Sequence, residues 1–194
     1  MLVKIHLNEY LNSHKPKNGK FYVLAIDGRG GAGKSNLGKY LQTILKDFLI
    51  INGDDYFEPV EGQIVWGEFN NERFIHDVIE PIKHGNEFVY RPYNWDHGPH
   101  FLQQPRTIKR GICIERCYSF EFAADWDLKI WVETPKDICR ERGMARETMP
   151  KERVRLAWET VWQPLETTYI DKTHPQQLAD IVIYGTKPFE EQID

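Results

Sequence analysis

The chain has 194 residues, of which 41% are hydrophobic and 28% charged, a balance that suits one α/β domain with a proper core and excludes a long disordered tail. Its net charge of −4 excludes a broadly basic surface for nucleic acid or anionic membrane and leaves small phosphorylated ligands, which need only a local positive pocket. Cys113, Cys117 and Cys139 form an odd set without CxxC spacing, which points to free thiols in a reducing compartment and away from a zinc site.

Residues 1–20 predict a helical extension built around Leu7, Tyr10 and Leu11 and closed by the turn KPKNG. Charges are scattered through the stretch 1–17 and no later segment is apolar for long enough to span a bilayer, so a cytoplasmic protein is expected.

The organising stretch is FYVLAIDGRGGAGKS, Phe21 to Ser35. Tyr22 to Ile26 reads as a buried strand and residues 36–46 as an amphipathic helix, and between them lies the phosphate-loop pattern G-x-x-x-x-G-K-[ST] beginning at Gly28. Gly28, Gly30, Gly31 and Gly33 allow the backbone to wrap a triphosphate with its N–H groups turned inward, and Ala32 and Asn36 complete the cradle. Lys34 can reach the β- and γ-phosphates and the Ser35 hydroxyl can ligate Mg²⁺, so ATP with Mg²⁺ is the expected cofactor pair. A glycine-rich turn without a ligand is the plainer alternative.

Residues 48–52 form a second predicted strand that empties into Gly53-Asp54-Asp55-Tyr56-Phe57, carboxylates at the edge where open α/β sheets bind ligands. Residues 58–70 read as loop, 72–83 as helix, 87–91 as a short strand, and 92–99, PYNWDHGP, as an aromatic and polar loop. Strands follow at 111–115, ending in Glu115, at 128–132 and at 180–184. Helices occupy 135–146, with Thr134 as N-cap, and 151–170, and residues 187–194 read as a tail. Alternating strands and helices imply a parallel sheet of roughly five strands.

A phosphate loop alone does not say where the phosphoryl group goes. Transfer to a hydroxyl needs metal, positive charge and a base or orienting carboxylate. Asp54 and Asp55 offer the carboxylate, and Glu115 offers an acid beside Mg²⁺. Arg142 and Arg146, four apart on one helix face, offer a phosphate clamp, whereas Arg140 points elsewhere and suits a solvated surface. Asp54 could merely cap a turn, and Glu115 could serve only a structural salt bridge, as the plainer alternatives.

The segments IDGRGGAGKS, NGDDYFEP, ICIERCYS, WVETPKDICRERGMAR and WQPLETTYI with ADIVI resemble the uridine kinase group of phosphate-loop kinases, which includes nicotinamide riboside kinase and, more distantly, pantothenate kinase and phosphoribulokinase. The resemblance implies a three-layer α/β/α fold, with a parallel sheet and a small helical lid at about residues 136–155, spanning the chain as one kinase domain. It implies that Asp54 acts as base on the acceptor hydroxyl, Lys34 and Ser35 contact phosphate and metal, Glu115 is the acid of a Glu-Gly pair, and Arg142 and Arg146 are lid arginines. Metal contacts would thus come from Ser35, Asp54 and Glu115. The candidate acceptor contacts are Asp55, Tyr56, Tyr93, Trp95, Asp96 and Arg116.

Two departures bear on the acceptor. Trp66-Gly67-Glu68-Phe69 replaces the group's Trp-Asp-x-Pro segment, and Arg116 stands where the group has glycine, either narrowing the pocket or adding a phosphate contact. Tyr93 and Trp95 could stack a planar base or merely plug a loop. A nucleoside-like acceptor is the leading expectation; a nucleotide monophosphate, a vitamin precursor or a sugar are alternatives, as is a nucleotide-binding switch. The switch is disfavoured by the lack of Asn-Lys-x-Asp and Asp-x-x-Gly motifs. The oligomeric state is left open.

Overall fold

The computed structural model describes residues 4–58, 68–93, 103–146 and 150–194. Five parallel strands form the central sheet: β1 (Tyr22–Gly28), β2 (Phe48–Asn52), β7 (Gly111–Glu115), β8 (Leu128–Glu133) and β9 (Ile181–Tyr184), in the order β2-β7-β1-β8-β9. Two short antiparallel pairs lie outside it, β3 (Phe57–Glu58) with β4 (Glu68–Phe69), and β5 (Glu87–Tyr90) with β6 (Gln104–Thr107). β6 falls in a stretch that gave no strand signal, because Pro105 and alternating polar residues disguise it.

Strand β1 is nearly all apolar because it is covered on both faces. Leu24 and Ile26 face a core shared with Leu37 and Leu41 of helix α2 (Lys34–Ile44) and with Leu7 and Leu11 of α1 (Leu7–Ser13). Val23 and Ala25 face the opposite core, with Phe74 of α3 (Asn71–Phe74) and Ile82 of α4 (Glu80–His84), which are joined through a π-helical turn at Ile75–Ile79. The period-2 alternation thus sorts one strand's residues into two cores, giving three layers. The predicted helix at 72–83 is this 71–84 rod.

On the far side lie α5 (Lys136–Arg146), α6 (Lys151–Ala157), a π-helical turn at Trp158–Trp162, α7 (Gln163–Thr173) and α8 (Pro175–Leu178). Val154 and Trp158 form a small separate core with Met144 and Trp162. Trp158 can pack there because Gly143 of α5 has no side chain; a Cβ at that position would overlap the indole ring.

Residues 187–194, expected to be a tail, are instead part of the core. Ile193 is fully buried, bridges to Ile5, and accepts a hydrogen bond from the Tyr40 hydroxyl at 2.9 Å. Gln192 is likewise buried, its amide shared among the Tyr184, Lys187 and Pro188 carbonyls. Thr134 does not spend its hydroxyl on capping α5; it donates to the Ala32 carbonyl at 2.9 Å and fastens the phosphate loop.

Register places the site. Ile26 of β1 and Asn52 of β2 both pair with Glu115 of β7, where β2 and β7 end, while Asp27 and Gly28 carry β1 two residues further, paired with Trp131 and Val132 of β8. Gly53 and Asp54, and Arg116, therefore leave the sheet beside the start of the phosphate loop, at the carboxyl edge where ligands bind in open α/β folds.

Candidate active site

The phosphate loop turns through three glycines with positive φ, Gly28 (155°), Gly31 (77°) and Gly33 (107°), angles that a side chain strongly disfavours. Space confirms the requirement at Gly31, where a Cβ would overlap the Cys139 carbonyl of α5. Gly33 is the left-handed residue that opens α2, so the helix's positive end faces the loop.

Asp27, fully buried, anchors the loop from beneath. Its carboxylate accepts from the backbone N–H groups of Gly28 (2.6 Å), Tyr118 (2.9 Å) and Phe120 (3.2 Å) and from the Tyr169 hydroxyl (2.6 Å), joining β1, the turn after β7 and α7. From α7, Glu166 accepts from the Gly30 N–H at 2.6 Å and pairs with Arg29 at 3.6 Å.

Lys34 is buried, its ammonium donating to the Gly28 and Arg29 carbonyls at 3.1 and 2.9 Å and to Cys117 Sγ at 3.1 Å. Burial works against its charge, but Cys117, Glu115 and Asp54 outweigh that effect, and its pKa is raised. Burial also pushes the Cys117 thiol up to about 11, so at neutral pH it is a protonated partner of the lysine.

Glu115 is 4% exposed, and burial raises its carboxyl to about 7, with Asp54 and Asp55 adding to the rise while Lys34 and a hydrogen bond with Ser35 oppose it. Asp54 is exposed on the 3-10 turn Gly53–Tyr56, its N–H held by Asn52 Oδ1 at 3.0 Å.

These groups meet in one cavity of about 1140 Å³, lined by the loop glycines Gly30, Gly31 and Gly33, by Lys34, Ser35 and Asn36, and by Asp54, Glu115, Arg116, Arg142 and Arg146. Arg142 Nη1 donates to the Gly185 carbonyl at 3.0 Å, while Arg140 is exposed and does not line the cavity. Gly28 and Ala32 lie behind the loop: the Gly28 carbonyl receives Lys34, and Ala32 is buried under Thr134.

Three expected acceptor contacts are placed differently. Tyr56 is fully buried, packed edge-on against Phe74 with ring centroids 5.1 Å apart, so it supports the turn and does not face the cavity. The Asp55 carboxylate is taken by the Tyr90 hydroxyl, and its carbonyl receives the Tyr93 N–H at 2.8 Å. Asp55 and Tyr93 therefore fix the turn that presents Asp54, and neither lines the cavity. Trp95 and Asp96, with Asn94, His97, Trp66 and Gly67, lie outside the described residues.

Sequence reasoning passed over several lining residues. Trp158 and Trp162 stand at the π-helical turn with ring centroids 5.3 Å apart, and Gly185, Lys187, Pro188 and Phe189 close the wall beside Gly33. The second group follows β9 at the sheet's carboxyl edge, so the rule that singled out Asp54 applied there too. The tryptophans carried no such signal, since helical spacing reads equally as core.

Oxygen donors suited to Mg²⁺ surround the lysine: the Ser35 hydroxyl, Glu115 and Asp54. Among the described residues no three acidic, histidine or cysteine side chains converge on one point.

No family model matches the chain. It is 26% identical to the uridine kinase of Borrelia hermsii (strain HS1 / DAH) over 187 aligned positions, covering 83% of this chain and 85% of that protein. It is 27% identical to the uridine kinase of Borrelia turicatae (strain 91E135), with the same coverage of both. The structure of a possible uridine kinase from Bacillus stearothermophilus superimposes with a TM-score of 0.65 at 16% identity, covering 91% of this chain and 95% of that one, and shares the fold. The chain is thus similar in sequence to these two uridine kinases and shares the three-layer α/β/α fold of phosphate-loop kinases.

Proposed function

We propose that the protein transfers the γ-phosphate of ATP, with Mg²⁺, to a hydroxyl of a nucleoside-like metabolite. The observation that carries this reading is the convergence of Lys34, Ser35, Glu115, Asp54 and two arginines of one helix on a single cavity. A nucleotide-binding switch needs no base for an acceptor hydroxyl, and here Asp54 lines the same cavity as Lys34 from the 3-10 turn after β2.

In the proposed reaction the triphosphate lies along the loop N–H groups and the N-terminus of α2. Asp54 accepts or orients the proton of the acceptor hydroxyl as its oxygen attacks the γ-phosphorus. Lys34, Arg142 and Arg146 hold charge on the transferring group. Ser35 and Glu115 would hold Mg²⁺, which when bound neutralises phosphate charge. Trp158, Trp162 and Glu166 reach the cavity from the α5–α7 side, which would let that side exclude water when substrates bind. The three cysteines are free thiols, which supports placing the protein in a reducing compartment. Among the described residues no helix is long and apolar enough to cross a membrane.

The test is ADP formation from ATP and Mg²⁺ across a panel of nucleosides, nucleotide monophosphates, vitamin precursors and sugars. Acceptor-dependent turnover that Lys34→Ala removes is the expected result. Nucleotide binding without turnover of any acceptor would overturn the assignment.

A further inference from the structure

Arg116 immediately follows Glu115, and its whole side chain is drawn into the protein, leaving the residue 6% exposed. A buried arginine is ordinarily paired with a carboxylate. Here, among the described residues, none lies within ion-pair distance of it. Its guanidinium carbon lies 3.4 Å from the centre of the Phe69 ring and 4.7 Å from that of Phe122, so aromatic faces take the place of an ion pair. Of its five N–H groups, one approaches Asn71 Oδ1 at 3.5 Å, the outer edge of hydrogen bonding.

The place is built for this side chain. A Cβ at Gly53 would overlap Arg116 Cβ, so the glycine before Asp54 makes room for the arginine stem. The residue lines the cavity together with Asp54, Phe57 and Phe69. Its packing partners come from β4, from α3 and from the turn after β7, whereas the donor-side cations come from the phosphate-loop helix and from α5. Arg116 is therefore a cavity-lining cation set apart from Lys34, Arg142 and Arg146, on the side of Asp54, Phe57 and Phe69.

We propose that Arg116 recognises an anionic group, a carboxylate or a phosphate, on the acceptor itself, so that the molecule phosphorylated is a hydroxy acid or a phosphate ester in preference to a neutral compound. The inference rests on the kinase reading and sharpens its substrate class. A planar guanidinium braced on Phe69 presents its remaining N–H groups in a fixed fork, which matches two oxygens of one anion. Burial draws its pKa down to about 10, still well above neutrality, so the charge is present to pair. The carboxylates nearest in charge, Asp27, Asp54 and Glu121, are each otherwise placed: Asp27 is consumed by the loop, Asp54 is exposed, and Glu121 is exposed on the turn after β7.

The experiment uses the full chain loaded with ADP and Mg²⁺ and measures, by calorimetry, binding of matched pairs that differ in one anionic group: pantothenate against pantothenol, glycerate against glycerol, orotidine against uridine, and fructose 6-phosphate against fructose. Expected is at least one pair in which the anionic member binds about 100-fold more tightly, the carboxylate and phosphate arms identifying which anion is preferred. In Arg116→Met that ratio collapses, and in Arg116→Lys, which keeps the charge and loses the fork, it falls about tenfold. Circular dichroism of both variants confirms the fold. Equal binding within every pair, no binding of any anionic member, or a preference that survives in Arg116→Met would overturn the proposal. ADP formation is read separately with the same compounds: binding without turnover would sink the kinase reading and leave the anion site standing, while turnover without anion preference would do the reverse.

Discussion

The two halves of the cavity are built by different physics. On the donor side, hydrogen bonds do the shaping: Asp27 alone gathers four donors beneath the loop, Thr134 and Glu166 tie it from above, and Lys34 is clasped by two carbonyls and a sulfur. On the acceptor side, packing does it. Tyr56, Phe69, Phe74 and Phe122 make an aromatic bed on which Arg116 lies, and the turn carrying Asp54 stands on that bed. The difference teaches that a triphosphate, the same for every such enzyme, can be met by a fixed set of backbone dipoles, while the acceptor is met by a surface whose shape depends on which side chains fill it.

Substitutions can sharpen that division. The largest effect is expected from Asp54→Asn, which should lower kcat about 10²–10⁴-fold while the dissociation constant for ATP stays within a few-fold, because in the proposed mechanism the carboxylate acts as base on the acceptor hydroxyl and Lys34 and the loop hold the nucleotide. Full turnover by this variant would remove Asp54 from the mechanism. Lys34→Ala should cost about 10²–10³-fold and, in contrast, weaken nucleotide binding as well, measurable by titration with ATP.

Gly31→Ala tests the donor side as a structure. Its Cβ would meet the Cys139 carbonyl at a φ of 77°, so a loss of about 2–4 kcal/mol in unfolding free energy is expected from thermal or urea denaturation. Retained stability would mean that the loop shifts freely and is not preformed.

Glu115 offers a pH test. Its carboxyl, near 7 against an ordinary 4.5, favours the proton in the folded state. The stability it contributes is therefore full below about pH 4.5 and is lost as pH rises through 7. Metal binding needs the ionised form, so apparent Mg²⁺ affinity should climb up to tenfold per pH unit below 7 and level off above it. Glu115→Gln should flatten that profile.

The smallest effect separates neighbours on one helix. Arg142→Ala should reduce kcat about tenfold, whereas Arg140→Ala, whose side chain is exposed away from the cavity, should stay within about twofold. Equal effects would mean that α5 turns differently when nucleotide is bound.

Much of the donor half could be read directly, because it is local. Gly28 to Ser35 carry their own geometry: glycine where φ is positive, a lysine and a hydroxyl at the start of a helix, all within one turn of chain. Tyr22 to Ile26 is legible as a buried strand in the same way, while its division between two cores appears only in the fold. The acceptor half was harder to read because its residues meet only in space. Tyr56 is a candidate acceptor contact in sequence, yet its large aromatic ring is drawn into the core, and Asp55 is taken by a tyrosine thirty-five positions away. The 187–194 segment looked like a tail because its single isoleucine gives no periodicity, and only docking against β9 and Ile5 reveals its burial.

What the chain's order of residues determined by itself was the sheet, its phosphate loop and the acids at its edge, since each depends on periods and spacings of a few residues. What only the tertiary structure decided was that Arg116, an odd residue in place of a glycine, is buried without a carboxylate partner among the described residues beside Asp54. Whether a charge is solvated, paired or held in reserve depends on everything packed around it, and neither Gly53 nor Phe69 announces in sequence that it makes that place.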